Sequence, residues 1–277
     1  MEAPALPRWA FRVGYLADGF RGYARQPGLP TVEGLLREGL ASRGILSEPT
    51  GRFQTASRTD RGVHALGNVI AFSTRLAGPA VARTLNTLDP RVFCWGFAPV
   101  PPGFSPRSAR GRWYRYFEPE AGAALEAYRQ GAALFVGDHD FSSFGRRDDP
   151  PREARRVLQE LTVNPRGEFL ILDFRAPSFL WGQVRKTVSA LRQFAAGRLT
   201  SRALQEALRG DRRLSLPLAE AEGLVLLEVD VGVPFRSLDR PPVLPLRFWE
   251  EASRSARLRS TLLGEFKERA LPGRSDP

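Results

Sequence analysis

An aspartate between two arginines is the arrangement best suited to chemistry in this chain. Asp60 lies in the segment 56–67, which is polar and turn-like from 58 to 65, with Arg58 two residues before it and Arg61 directly after it. Nearby positive charge favours the ionised form of a carboxyl group. An ionised carboxylate held by arginine can act as a nucleophile or an electrostatic stabiliser at a sugar carbon. Spacing alone favours a simpler interpretation, a surface turn with an ordinary Asp–Arg pair, because Arg-x-Asp is a common pattern.

The same segment resembles a known family signature. In the tRNA pseudouridine synthase A family the sequence Gly-Arg-Thr-Asp-Ala-Gly-Val-His-Ala is common at the nucleophile. Asp60 matches that nucleophile, and Arg58 matches the neighbouring arginine. Ser57 replaces the usual glycine and Arg61 the usual alanine or lysine, and neither change removes a reacting group.

Three further segments match the family in its order. Segment 20–26, Phe-Arg-Gly-Tyr-Ala-Arg-Gln, is similar to an early family element. Segment 112–116 resembles the strand whose first tyrosine stacks on the target uracil, which is Tyr114 here. Segment 179–185 resembles the helix whose arginine pairs with the catalytic aspartate, which is Arg185 here. Several motifs in family order are far more specific than one short motif.

The resemblance implies a tRNA pseudouridine synthase, an isomerase that converts uridine to pseudouridine without a metal or another cofactor. Family precedent places the target in the anticodon stem-loop of tRNA, at positions 38 to 40, and implies a homodimer. Arginine beside the nucleophile would keep it ionised through charge-assisted hydrogen bonds. The predicted site residues are Asp60, Arg185 and Arg58 for catalysis, and Tyr114, Arg61 and His64 for substrate binding.

Apolar periodicity predicts the elements that must position these residues. Segment 179–196 is the clearest helix, with an apolar stripe on one face and Trp181 and Arg185 together on another. Alternation along the predicted strand 107–118 places Tyr114 on the face opposite Trp113. Further predicted strands are 9–16, 52–57, 67–74, 91–100, 158–163, 169–174 and 224–231, and further predicted helices are 32–40 capped by Thr31, 79–85, 123–135, 201–208 and 248–271.

This alternation of helices, strands and hairpins predicts an α/β (α+β) class. By resemblance to the pseudouridine synthase fold, we expect two α/β subdomains with mixed, largely antiparallel sheets, flanking helices and a basic cleft between them. Pro101-Pro102-Gly103 is the candidate boundary. The predicted division is 1–103 with the Asp60 loop, 104–245 with the Tyr114 strand and the Arg185 helix, and a helical C-terminal tail, 246–277.

The overall charge favours a polyanionic partner. The chain has 41 Lys and Arg residues against 30 Asp and Glu residues, a formal net charge of +11. Lys186 and Lys267 are the only lysines, so 41 − 2 leaves 39 arginines. Arginine binds phosphates through its planar fork and stacks on bases, which suits RNA. A biased codon composition explains the ratio of arginine to lysine but not the net excess.

Other function classes are poorly supported. Cys94 is the only cysteine, so no intrachain disulfide can form, and His64 and His139 are the only histidines, so a His/Cys metal centre is nearly excluded. We interpret the Asp138-His139-Asp140 stretch as structural. No apolar run approaches the length of a membrane span, and residues 1–4 do not resemble a signal peptide, so we expect a cytoplasmic protein.

Three alternatives to the synthase remain at this point. A non-catalytic RNA-binding protein could share the fold, although the combination of Asp60, Tyr114 and Arg185 favours catalysis. A hydrolase with paired carboxylates needs a second acid beside Asp60, and none is convincingly placed. Charge alone would also suit a DNA-binding structural protein.

Overall fold

The computed structural model describes residues 6–47, 52–119, 124–146, 153–240 and 242–270. The Pro150-Pro151 sequence predicts a loop, which lies outside the described residues, as do residues 271–277 of the predicted tail. The strands are β1 (Arg8–Tyr15), β2 (Gln54–Thr55), β3 (His64–Ser73), β4 (Val92–Val100), β5 (Gly111–Pro119), β6 (Gly137–Asp140), β7 (Arg155–Leu158), β8 (Glu160–Arg166), β9 (Phe169–Ala176), β10 (Leu224–Asp230) and β11 (Arg236–Ser237). The helices are α1 (Val32–Ala41), α2 (Gly78–Leu85), α3 (Leu125–Phe135), α4 (Gln183–Ala195), α5 (Ser201–Arg209) and α6 (Val243–Ala270).

Threonine hydroxyls cap two of these helices. Thr31 accepts a hydrogen bond from the Gly34 backbone N–H at 3.2 Å at the start of α1, as predicted. Thr200 does the same for Ala203 at the start of α5, also at 3.2 Å. Each cap satisfies a backbone N–H that has no partner inside the helix, which fixes where the helix begins.

The predicted class, a mixed and largely antiparallel α/β arrangement, is confirmed. Within the described residues, nine strands form one sheet in the order β11-β4-β1-β3-β10-β5-β9-β8, with β2 paired to β3 off this path. The strands before and after residue 103 are therefore joined in a single sheet. Strands β6 and β7 form a separate antiparallel pair.

One parallel pairing joins the two halves of the sheet. Strand β10 pairs with β3 in parallel, with Val225 opposite His64 and Leu226 opposite Ala65, whereas the other described strand pairs are antiparallel. Parallel strands begin at the same edge of a sheet. The segment that precedes β3, which contains Asp60, therefore lies beside the segment that precedes β10.

The buried side chains form two clusters that meet at β10. One cluster is built mainly from residues before 103 and the other mainly from residues after it. Leu224 of β10 belongs to the second cluster and Leu226 to the first, while Tyr114 packs against both. The division of the chain at residue 103 stays a prediction.

Helix α4 begins at Gln183, not at the predicted Phe179. Gly182 has a φ of 76°, a left-handed conformation that does not continue a right-handed helix. The Gln183 side-chain oxygen accepts from the Leu180 N–H at 2.7 Å, which closes the turn before the helix. The prediction that Trp181 and Arg185 share a helical face was wrong, because Trp181 precedes the helix.

Other boundaries differ for local reasons. The strand predicted over 107–118 begins at Gly111, because Pro106–Ser108 forms a short 3-10 turn. Strand β3 begins earlier than predicted, because its first residues pair with β10. The sequence did not predict β6, whose residues are mostly polar. Helix α6 begins five residues before the predicted Phe248.

Two further features of the described residues are the burial of the cysteine and the hydropathy of the helices. Cys94 is buried in β4, and burial raises its pKa to about 12. No helix within the described ranges combines the length and apolarity that a membrane span needs.

Gly67 should be required where β3 approaches β10. A Cβ built on Gly67 would collide with the Leu227 carbonyl oxygen and lie 3.1 Å from the Glu228 Cα. Because both neighbours are backbone atoms, Gly67→Ala should lower the free energy of unfolding by about 1–3 kcal/mol. Urea denaturation measures this change. Gly103→Ala is the control, since a Cβ there has no neighbour within 4 Å, and equal stability of the two variants would contradict the prediction.

Candidate active site

A cavity of about 340 Å³ opens beside the Asp60 loop. The loop before β3, strand β5 and the start of α4 form its walls. Among its described lining residues, Arg58, Arg112 and Arg185 are basic and Asp60 is acidic, so the lining has a net positive charge. The remaining lining residues are Ala56, Ser57, Thr59, Val63, Tyr114, Ser178, Phe179, Leu180, Trp181, Gly182, Gln183, Val184 and Leu224.

Both oxygens of the Asp60 carboxylate accept hydrogen bonds. Nη1 of Arg185 lies 3.3 Å from Oδ2, and Nε1 of Trp181 donates to Oδ1 at 2.7 Å. The side chains of Asp60 and Arg185 are 24% and 14% exposed, so water screens their attraction only in part. The carboxylate is therefore held in one orientation at the wall of the cavity, and the contact predicted between Asp60 and Arg185 is present.

A backbone carbonyl orients the Arg185 guanidinium. Nε of Arg185 donates to the Ala219 carbonyl oxygen at 2.6 Å, and the Ala219 N–H donates to the Arg185 carbonyl at 3.3 Å. The guanidinium is planar and its donors have a fixed geometry. Holding Nε therefore also sets the direction in which Nη1 points, which is toward Asp60.

The backbone of the Asp60 loop is held from several directions. The Asn68 side-chain amide accepts from the Ser57 N–H at 3.2 Å and donates to the Ser57 carbonyl at 2.9 Å. The Tyr23 N–H donates to the Thr59 carbonyl at 3.0 Å, and the Thr59 hydroxyl lies 2.9 Å from the Tyr15 hydroxyl. These groups are buried, so the loop is rigid just before the carboxylate that it carries.

Arg112 ties the Asp60 loop to the opposite wall of the cavity. Its guanidinium donates to the Ser57 hydroxyl at 3.2 Å, the Ala56 carbonyl at 3.3 Å and the Pro177 carbonyl at 2.6 Å. These acceptors are neutral, so they leave the positive charge uncompensated. Burial lowers the pKa of Arg112, but an arginine stays protonated at any physiological pH.

Two aromatic rings form an apolar wall of the cavity. Tyr114 and Phe179 pack edge to face, with ring centroids 5.2 Å apart. Burial raises the pKa of Tyr114 above its ordinary value, and Arg112 and Ser57 offset this only in part. The phenol is therefore neutral at physiological pH, and the wall is suited to a flat, uncharged ring.

The structure brings together four of the six predicted site residues. Asp60, Arg185, Arg58 and Tyr114 line the same cavity. Arg58 is exposed, and no hydrogen bond or ion pair joins it to another described residue. Arg61 and His64 instead line a second cavity of about 320 Å³, together with Asp18, Arg21 and Glu222 among others.

Similar proteins identify the family. A model of the tRNA pseudouridine synthase family matches residues 132–230. The tRNA pseudouridine synthase A of Pyrococcus abyssi (strain GE5 / Orsay) is 38% identical over 237 residues, which cover 84% of this chain and 88% of that protein. The protein of the same name from Thermococcus kodakarensis (strain ATCC BAA-918 / JCM 12380 / KOD1) is 38% identical over 264 residues, 93% of this chain and 97% of that protein. The chain belongs to the tRNA pseudouridine synthase A family.

A solved structure is similar only at a low level. A chain from the crystal structure of a Cbf5-Nop10-Gar1 complex aligns with 79% of this chain and 49% of its own length. The TM-score is 0.37 and the sequence identity is 10%.

Sequence reasoning about this synthase family member missed three side chains at the cavity. Trp181, Arg112 and Phe179 lie in segments that resemble the family, but the resemblance assigns none of them to the site. No local pattern indicates that the indole of Trp181 reaches Asp60. No local pattern indicates that Arg112 reaches loops that are distant in sequence. Within the described residues, no group of three His, Cys, Asp or Glu side chains is placed to hold a metal ion.

His64 should make the stability of the protein depend on pH. Its Nδ1 accepts from the Ala17 N–H at 3.0 Å, so the proton of the neutral ring lies on Nε2. Burial lowers the pKa of His64, with Asp18 and Glu222 opposing this. The unfolded chain therefore binds a proton at a higher pH than the folded one, and stability present above about pH 6.5 is lost as the pH falls below it.

Asparagine at this position can accept the same hydrogen bond without titrating. His64→Asn should therefore lose less free energy of unfolding between about pH 7.5 and pH 5.5 than the wild type. Urea denaturation at both pH values provides the measurement. Parallel pH dependence of wild type and variant would contradict the prediction.

Proposed function

We propose that this chain isomerises uridine to pseudouridine in tRNA, with Asp60 as the nucleophile toward the ribose. One observation carries the proposal: the Asp60 carboxylate is held by Arg185 and Trp181 at the wall of a basic cavity that also contains Tyr114. Family membership supplies the reaction class. The carboxylate, the cation beside it and the aromatic wall supply the groups that this reaction requires.

The reaction rearranges bonds without an outside reagent. The bond between ribose C1′ and N1 of the uracil breaks, and the base leaves with the electron pair on N1. After the ring turns, C5 bonds to C1′, C5 loses its proton and N1 gains one. Asp60 assists either by forming an ester at C1′, which breaks when C5 attacks that carbon, or by removing the C2′ proton of the ribose to give a glycal and returning that proton when C5 bonds to C1′. Because atoms and electrons balance, no cofactor is needed.

Each neighbour of Asp60 has a proposed role. Arg185 keeps the carboxylate ionised and oriented, since a charge-assisted hydrogen bond favours the charged form. Tyr114, which packs edge to face with Phe179, stacks on the uracil. Arg58 and Arg112 add positive charge to the cavity, which stabilises the departing uracil anion and the adjacent phosphates. A nucleotide must leave its stack to enter the cavity, and flipping it costs a few kcal/mol.

The rest of the RNA contact follows from charge. The net charge of +11 attracts the tRNA backbone. Arg61 and His64 line the second cavity beside the Asp60 loop, and we assign them to RNA next to the flipped nucleotide. The target at positions 38 to 40 of the anticodon stem-loop and the homodimer are proposals that rest on the family resemblance. Mapping of modified positions and sedimentation equilibrium address them directly.

Asp60→Asn should abolish pseudouridine formation without unfolding the protein. The amide has nearly the same shape, but it is a poor nucleophile and carries no charge. Purified wild type and variant are incubated with unmodified tRNA and no cofactor, and pseudouridine is mapped by chemical derivatisation and mass spectrometry. We expect product only with the wild type, and similar binding of tRNA by both.

Asp138→Asn is the matched control, because this exposed aspartate pairs with Arg155 at 3.1 Å on the separate β6–β7 pair. It should keep full activity. An active Asp60→Asn enzyme would remove Asp60 from the mechanism. A folded wild type that binds tRNA but makes no pseudouridine would favour a non-catalytic RNA-binding protein.

Tyr114→Leu should reduce the rate severely, whereas Tyr114→Phe should retain most of the stacking. An aromatic face stacked on a base contributes about 1–3 kcal/mol, which leucine cannot replace. Single-turnover rates with saturating enzyme separate this effect from weaker binding of tRNA. Equal rates for wild type and Tyr114→Leu would exclude stacking by this ring.

A further inference from the structure

One five-residue segment, 219–223, touches both sides of the proposed catalytic ion pair. On one side, the Ala219 carbonyl receives the Nε hydrogen bond of Arg185 at 2.6 Å. On the other side, Gly62 lies two residues after the nucleophile. It packs so closely that a Cβ built on it would lie 2.9 Å from two side chains of the segment. The position of this segment therefore affects the relative placement of the carboxylate and the guanidinium.

Glu220 anchors this segment to the rest of the protein. Its Oε2 lies 2.6 Å from Nη1 of Arg192 and accepts from the Tyr116 hydroxyl at 3.3 Å. Arg192 follows Arg185 by seven residues on α4, about two helical turns along the same face. The helix that carries the arginine facing Asp60 thus also carries the arginine that holds Glu220.

A buried carboxylate fixes Arg192 in turn. Nε and Nη2 of Arg192 donate to the two oxygens of Glu118 at 2.7 and 2.8 Å. The Tyr128 hydroxyl donates to Glu118 at 2.9 Å, and Glu118 is only 4% exposed. A bidentate contact of this kind sets the plane of the guanidinium as well as its position. Arg192 therefore presents a fixed cation to Glu220.

We propose that Glu220 is a positioning residue for the reaction at Asp60. Bound to Arg192, it holds the Ala219 carbonyl where that oxygen directs the guanidinium of Arg185 at the nucleophile. This inference rests on the proposed function, because it gives Glu220 a task in that site. Glu220 does not line the cavity and acts through Arg185.

Because Glu220 is exposed, an effect of its replacement on the reaction rate can be distinguished from an effect on the stability of the fold. Its side chain is 67% exposed, whereas Glu118 is buried. Exposed ion pairs contribute little to folding, but removal of a buried charged partner is strongly destabilising. Replacement of Glu220 should therefore leave the fold intact while it loosens the segment 219–223, whose ends are still held by the Arg185 carbonyl and the Phe117 N–H.

The test compares Glu220→Ala and Glu220→Gln with Asp211→Ala. Asp211 is the matched control, because it forms an exposed ion pair with Arg209 at 2.8 Å and is 60% exposed. Single-turnover pseudouridine formation with saturating enzyme gives the rate, and filter binding gives the Kd for tRNA. Glu220→Ala should slow the reaction about three- to fivefold, which is the most that the loss of one exposed ion pair can cause. The Kd should stay unchanged within about twofold, since a lost transition-state interaction lowers the rate and not the binding.

Glu220→Gln should restore most of the rate, because its amide oxygen can still accept from Arg192. Wild-type rates in Glu220→Ala would overturn the proposal. So would a loss that Asp211→Ala shares, or one that accompanies a clear fall in the thermal midpoint, since either would assign Glu220 to general stability.

Hydrogen exchange tests, without any reaction taking place, whether Glu220 holds segment 219–223 in position. The Ala219 N–H donates to Arg185, so Glu220→Ala should speed exchange in 219–223 and leave α3 as in the wild type. Unchanged exchange in 219–223 would overturn the positioning role. Faster exchange with a wild type that makes no pseudouridine would instead count against the proposed function alone.

Discussion

The parallel pairing of β10 with β3 is the constraint on which the site depends. Only two residue pairs form this ladder, yet it joins the sheet of the first half of the chain to that of the second. Because parallel strands start at the same edge, the Asp60 loop and segment 219–223 must lie side by side. Strand β5 then pairs with the other side of β10, which brings Tyr114 to the same place. A different strand order would separate the carboxylate from its arginine.

Near the β3–β10 pairing and within the described part of the chain, the one acidic side chain of the cavity is paired, whereas two of its three arginines have no anionic partner. The carboxylate of Asp60 has two donors fixed on it, whereas Arg112 donates only to neutral acceptors and Arg58 has no bonded partner among the described residues. The cavity therefore holds one compensated anion and a surplus of positive charge. Such a site attracts phosphate through its surplus positive charge. Asp60 stays ionised at the same time, because a side chain of the protein and not the substrate compensates its charge. Tyr114 adds an uncharged surface where a base can stack.

Local sequence patterns predicted the positions of helices and strands better than the contacts between segments that are distant in the sequence. The Thr31 cap, the hairpin of β8 and β9 and most helix positions follow from side-chain periodicity and capping. The start of α4 was misplaced because the apolar stripe continues back through Leu180, and only the left-handed Gly182 ends the helix. The family-like motifs placed Asp60, Arg58, Tyr114 and Arg185, but nothing local shows that Trp181, Arg112 or Glu220 reaches them. Those contacts join segments up to about 120 residues apart, and only the pairing of distant strands brings such segments together.

The central position of β10 also has a consequence for synthesis on the ribosome. Its partner β3 leaves the ribosome roughly 160 residues earlier, so the two strands cannot pair until most of the chain has been made. Until β10 emerges, the start of β3 is an open strand edge of the kind that pairs with other chains. The nascent protein can bury its first apolar cluster early, but Leu226 and Val229 complete that cluster only at the end. The last central strand to be translated is thus the one that assembles the site.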